Sequence, residues 1–170
     1  MKLTKNSTVG NLGCGIVAVY NVLHKYSKNV SFKKLISKVL NIPTVAWPIN
    51  LLYNHFFNSG VSVFSMIAYL KTKFLKVSYS FLNTYLWGIR AEMAGAIIVA
   101  YWRPKSRTGH YIAGIKCGDG VGGRFRFYNA LSESDKIKGT MSIWQVIDAL
   151  KAKKYIPLCL ITVAIKLGKW

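Results

Sequence analysis

Residues 9–24 read Val-Gly-Asn-Leu-Gly-Cys-Gly-Ile-Val-Ala-Val-Tyr-Asn-Val-Leu-His, with one cysteine between two glycines where an apolar run begins. The run after Cys14 is apolar on most sides of a helix extending to about Tyr26, which makes that helix central to the core. The first N–H groups of a helix are unpaired and carry partial positive charge. A cysteine held there has its thiolate stabilised, and such thiols reach pKa values of about 3.5–7.5 against about 8.5 for a free one. Gly13 and Gly15 leave room for a substrate carbonyl beside the sulfur. By itself the segment allows two readings: an activated nucleophile, or a small buried residue, which is the commoner fate of a free cysteine.

Two later stretches favour the nucleophile. Residues 109–115, Gly-His-Tyr-Ile-Ala-Gly-Ile, form a strand-like run that opens on His110. Residues 124–130, Arg-Phe-Arg-Phe-Tyr-Asn-Ala, form a second strand-like run that ends at Asn129. Side chains alternate along a strand, so Asn129 shares a side with Phe125 and Phe127, while Arg124 and Arg126 face water. A nucleophile, a base and a group orienting that base is the recurring arrangement of covalent catalysis. In this arrangement His110 takes the thiol proton and the Asn129 carboxamide holds the ring tautomer. His24 and His55 lack such a setting and read as structural or exposed.

The rest of the chain divides into a helical first half and a strand-rich second half. Helical spacing recurs at Phe32, Leu35, Ile36, Val39 and Leu40, with Ser31 as cap, until Pro43. A loop runs through Pro48 and Asn50, and residues 49–60 suit a short helix ending at Gly60. A helix starts at Ser62 with Val63, Ile67, Leu70 and Phe74 on one face. A strand covers Leu75–Ser80, and a helix over Asn83–Met93 carries Leu86, Ile89 and Met93 inward. Ala96–Trp102, His110–Cys117, Arg124–Tyr128 and Pro157–Ile165 are strand-like, separated by Gly, Pro and Ser clusters. Asp119-Gly120, flanked by Gly118, Gly122 and Gly123, joins two antiparallel strands; it leads into a strand, which excludes a phosphate-binding loop. Ser142 and Gln145 match a capping box before a helix over Ile143–Lys154. The first ten residues, being polar, are expected to wrap into the cleft or stay loose. The fold class is α+β in one domain, residues 1–170, with the cleft where the two halves meet.

The Cys-Gly at a helix start, the Gly-His-Tyr strand and the Tyr-Asn after a following strand resemble papain-like cysteine peptidases. They are most similar to the small bacterial, bacteriocin-processing (C39-like) branch, over roughly residues 9–165. The resemblance implies Cys14 as nucleophile, His110 as general base and Asn129 as orienting residue, with no cofactor. It implies peptide or amide cleavage, and the same machinery also serves amidases, deamidases and acyltransferases. Such families carry a glutamine six residues before the cysteine as an oxyanion donor, and Thr8 stands there in this chain. The Cys14 N–H and Asn11 are the candidates left for the oxyanion hole, and losing one donor typically costs about 10²–10³ in turnover. A catalytically weak module that binds a peptide or partner protein is therefore the alternative.

Composition bounds the remaining classes. At 170 residues and 52% hydrophobic, with ten Tyr, eight Phe and five Trp, the chain is too apolar for disorder. Lys and Arg number 24 against 5 Asp and Glu, a net charge of +19 that attracts anionic partners generally. The lysines are scattered and no nucleic-acid motif accompanies them, so the charge reads as a solvated surface. So few carboxylates exclude a two-carboxylate mechanism. No Gly-x-Ser-x-Gly motif marks a serine hydrolase. Three cysteines without a Cys-x-x-Cys pair suggest neither a disulfide framework nor a zinc site. Cys117 and Cys159 read as buried thiols. Nothing approaches the roughly 18 apolar residues of a membrane helix, no signal peptide is visible, and a cytoplasmic protein is expected.

Overall fold

The computed structural model describes residues 2–4, 7–8, 13–26, 28, 30–40, 61–74, 76–118, 123–128, 137 and 139–164. Its helices are α1 (Cys14–Lys25), α2 (Phe32–Leu40), α3 (Val63–Lys73), α4 (Thr84–Glu92) and α5 (Ile143–Ala152). Its strands are β1 (Lys2–Thr4), β2 (Ser7–Thr8), β3 (Val77–Phe81), β4 (Ala96–Arg103), β5 (Thr108–Lys116), β6 (Arg124–Tyr128), β7 (Thr140–Ser142) and β8 (Ile156–Val163). The first two pair as a small antiparallel ribbon, Lys2 opposite Thr8 and Thr4 opposite Ser7, where the sequence suggested chain wrapped into the cleft or left loose. The other six form one sheet in the order β3-β8-β4-β5-β6-β7, antiparallel throughout. This α+β layout, helices mainly in the N-terminal half and sheet in the C-terminal half, is the one expected.

Both faces of the sheet are covered. On one face Ala96, Ile98, Ala100, Tyr111, Ala113, Ile115, Cys159 and Ile161 pack against α1, α2 and α3. On the other, Ile97, Val99, Tyr101, Ile112, Phe125, Phe127 and Leu160 pack against α4 and α5. Burial on both sides is why β4, β5 and β8 read as unbroken apolar runs. β6 alternates instead: Phe125 and Phe127 point inward and Arg124 and Arg126 outward, as alternation predicts.

Caps set where the helices start. The Ser62 hydroxyl accepts from Phe64 N at 3.1 Å, and Asn83 Oδ1 accepts from Leu86 N at 3.1 Å. At α5 the full capping box is made: Gln145 N donates to Ser142 Oγ at 3.2 Å, and Ser142 N to Gln145 Oε1 at 2.9 Å. One helix face departs from expectation. On α4 the inward residues are Trp87, Gly88 and Ala91, whereas Leu86, Ile89 and Met93 are 36%, 48% and 72% exposed. The cause is the ring of Trp144 on α5, which lies where a Gly88 Cβ would approach it to 2.1 Å. Only glycine lets the two helices come that close, and that contact turns α4 so that the largest residue, Trp87, fills the core. Among the described residues no helix is long and apolar enough to cross a membrane.

Candidate functional site

Cys14 is the first residue of α1, and the helix start has no side-chain cap: Gly13 is the N-cap residue and offers none. The first intrahelical bond is Val17 N to Gly13 O, 2.9 Å, so the amides of Cys14, Gly15 and Ile16 precede it. Gly15 is what allows this start to sit tight against the sheet. A Cβ there would lie 3.1 Å from Met66 Sδ and from Val61 Cβ, and 3.4 Å from the Tyr111 ring. Tyr111 is itself pinned, its hydroxyl donating to Val61 O at 2.8 Å in the core.

The direction of the β5 amides explains what the thiol meets. Lys116 N bonds to Gly95 O at 3.0 Å on the β4 side, and Cys117 N bonds to Arg124 O at 2.9 Å on the β6 side. Amides alternate along a strand, so the odd-numbered residues of β5 point toward β6. Among the described residues, pairing with β6 runs as far as Ala113 opposite Tyr128. The N–H of Tyr111 points to the same side, and it donates to the Cys14 sulfur. Cys14 and β5 meet at the residue immediately after His110.

His110 is buried, 2% exposed, and lies opposite Tyr101 on β4. Directly paired residues share a face, and the two rings pack edge-on with centroids 5.4 Å apart at 71°. Tyr155 stacks on the far side of Tyr101 at 5.6 Å and 12°. This face is the one covered by α4 and α5, so α1 and the imidazole lie on opposite faces of the sheet.

Electrostatics at the thiol oppose one another. Burial pushes the Cys14 thiol above its ordinary value; the amides of Tyr111, Gly15 and Cys14 and the charge of Arg103 pull the other way. Burial wins. The thiol is thus raised, contrary to the lowered value expected of a helix start. Arg103 ends β4 opposite Thr108 and is half-buried. A tight turn over 104–107 follows, with Arg107 N bonded to Pro104 O at 3.2 Å and Arg107 itself at φ 50°.

Of the residues singled out in the sequence, the structure brings Cys14 and the His110–Tyr111 strand together; Asn129 and Asn11 lie outside the described residues, as does His55. Thr8 is in β2. Cys159 is buried as expected, and burial pushes its thiol up to about 12. Cys117, expected to be buried, is exposed, because the strand ends at Lys116. His24 is exposed in the last turn of α1. Among the described residues no three His, Cys, Asp or Glu gather as a metal site. The packing of Tyr101 on His110 was missed in the sequence. Its only signal was register: a four-residue turn at 104–107 sets Tyr101 opposite His110.

No family model matches the chain, and no curated protein is similar to it. Among solved structures it is similar to the crystal structure of the Pseudomonas avirulence protein AvrPphB. The TM-score is 0.45 with 12% sequence identity, covering 93% of each chain. The functional reading therefore rests on the chain's own residues.

Proposed function

We propose that the chain is a thiol hydrolase of papain-like type, of the small C39-like branch, acting on a peptide or amide bond. The observation that supports it is the Cys14 sulfur at an uncapped helix start, held against the amide that follows His110. In this reading His110 takes the thiol proton as the sulfur attacks the carbonyl carbon. The C–S bond forms, the carbonyl π electrons move to oxygen, and the Cys14 N–H with the Asn11 amide holds that oxyanion. The imidazolium gives its proton to the leaving nitrogen as the C–N bond breaks. Water then attacks the thioester, losing a proton to His110, and the acid product and free thiol are released. Asn129 orients the imidazole. Tyr101, buttressed by Tyr155, keeps the ring from rotating away. The free thiols at Cys14, Cys117 and Cys159 suit a reducing, cytoplasmic setting.

The test is turnover of a quenched peptide pool by the native chain and by Cys14→Ser and His110→Ala, each checked for folding. Both substitutions are expected to cost about 10³-fold or more. Unchanged turnover in Cys14→Ser sinks the reading. A second reading, a module that binds peptide without cleaving it, is favoured by the burial that raises the Cys14 thiol and by Thr8 in place of glutamine. It predicts saturable peptide binding equal in the native chain and in Cys14→Ser, with no product from either.

A further inference from the structure

Arg103 is the feature of this site that the proposed chemistry leaves unused. Cross-strand geometry places it on the same face as His110: Tyr101 pairs with His110 and Arg103 with Thr108, so Arg103 and His110 are diagonal neighbours, about 7–8 Å apart in such ladders. Its Nε is buried and has no hydrogen-bond partner among the described residues. A buried charged donor left unmatched is costly, and the cost disappears when an anion completes it. Of the five acidic residues, the two within the described chain are Glu92 and Asp148. Glu92 ends α4 beside Gly123 and Lys116, at the opposite end of β5 from Arg103. Asp148 lies in α5. The turn that carries Arg103 adds two exposed cations, Lys105 and Arg107, and is itself fixed by Ser106 Oγ to Thr108 Oγ1, 2.7 Å.

Resting on the thiol-hydrolase reading, we infer that Arg103 is a carboxylate-binding subsite, so that the substrates are peptides bearing an acidic residue next to the scissile bond. A guanidinium takes a carboxylate with two parallel N–H bonds, and the unmatched Nε is one of the donors such a fork uses. An acidic segment is also what a chain of net charge +19 draws in from solution. The subsite and the overall field therefore select the same chemistry, one at contact range and one at long range.

The experiment uses three peptidyl fluoromethyl ketones that differ only in the residue before the ketone: Asp, Asn or Lys. Intact-mass spectrometry follows covalent capture at Cys14. The Asp probe is expected to label about tenfold or more faster than its Asn isostere, the advantage of a charge-assisted over a neutral pair. The Lys probe is expected to be slowest. In Arg103→Gln the Asp-to-Asn ratio should fall to within about threefold, a ratio that cancels any common change in the reactivity of the sulfur. Should Arg103→Gln fold poorly, the ratio in the native chain at rising salt and in Arg103→Lys carries the same test. Equal capture of Asp and Asn probes by the native chain overturns the subsite and leaves the hydrolase reading intact. Capture of Cys14 by iodoacetamide but by none of the three peptides overturns both.

Discussion

At the scale of residues, Cys14 shows two forces that local sequence cannot weigh against each other. The glycine-flanked helix start announces amides around the sulfur, and those amides are there. The depth to which α1 presses on β5 is set by Met66, Val61 and Tyr111, more than forty positions along the chain. That burial reverses the expected direction. Iodoacetamide labelling of Cys14, followed by peptide mass spectrometry, should therefore rise with an inflection above the ordinary thiol value of 9.0, while exposed Cys117 is modified first. Arg103→Gln should push the Cys14 inflection higher still, since it removes one of the stabilising charges; a lower inflection would show that Arg103 does not act on the sulfur. Cys159 carries a consequence for stability. Its thiol is raised from 9.0 to about 12, so the fold favours its protonated form. That contribution is whole below about pH 9 and is lost as pH climbs toward 12, at up to about 1.4 kcal/mol per pH unit. Tyr26 and Tyr69, also raised by burial, act in the same direction. Urea unfolding between about pH 8 and pH 11 should show this decline, shallower in Cys159→Ala; a flat profile contradicts it.

At the scale of elements, what was legible is what short range decides. Ser62, Asn83 and Ser142 each cap the helix that follows, and the apolar runs at 96–102, 110–116 and 157–163 are the three strands buried on both faces. Ser142→Ala should cost about 1 kcal/mol, read from the shift of the urea midpoint at unchanged slope. The facing of α4 was not legible, because it follows from a ring on another helix and not from α4's own periodicity. Gly88→Ala puts a methyl into Trp144 and should cost about 1–3 kcal/mol. Adding Trp144→Ala should recover part of that loss, and strict additivity in this double-mutant cycle would deny the contact. The site divides in the same way. The placing of Cys14 at a helix start and of His110 on a strand was legible from the two segments that carry them. The Tyr101–His110 packing needed the length of the 104–107 turn, which sets the register.

At the scale of the whole molecule, a net charge of +19 on 170 residues makes self-repulsion a standing term against the compact state. The melting temperature should rise from low to moderate salt as that repulsion is screened, and a salt-independent melt would show the charges too dispersed to matter. The three-layer build has a further outcome. With α1 on one side of the sheet and His110 on the other, which residues of β5 face which helices is a matter of odd and even numbering. Gain of a single residue between His110 and Ile112 would turn the imidazole to the other face, whereas a gain of two would restore it. Parity of chain length in one short strand is thus the quantity that natural variation in this molecule has to keep.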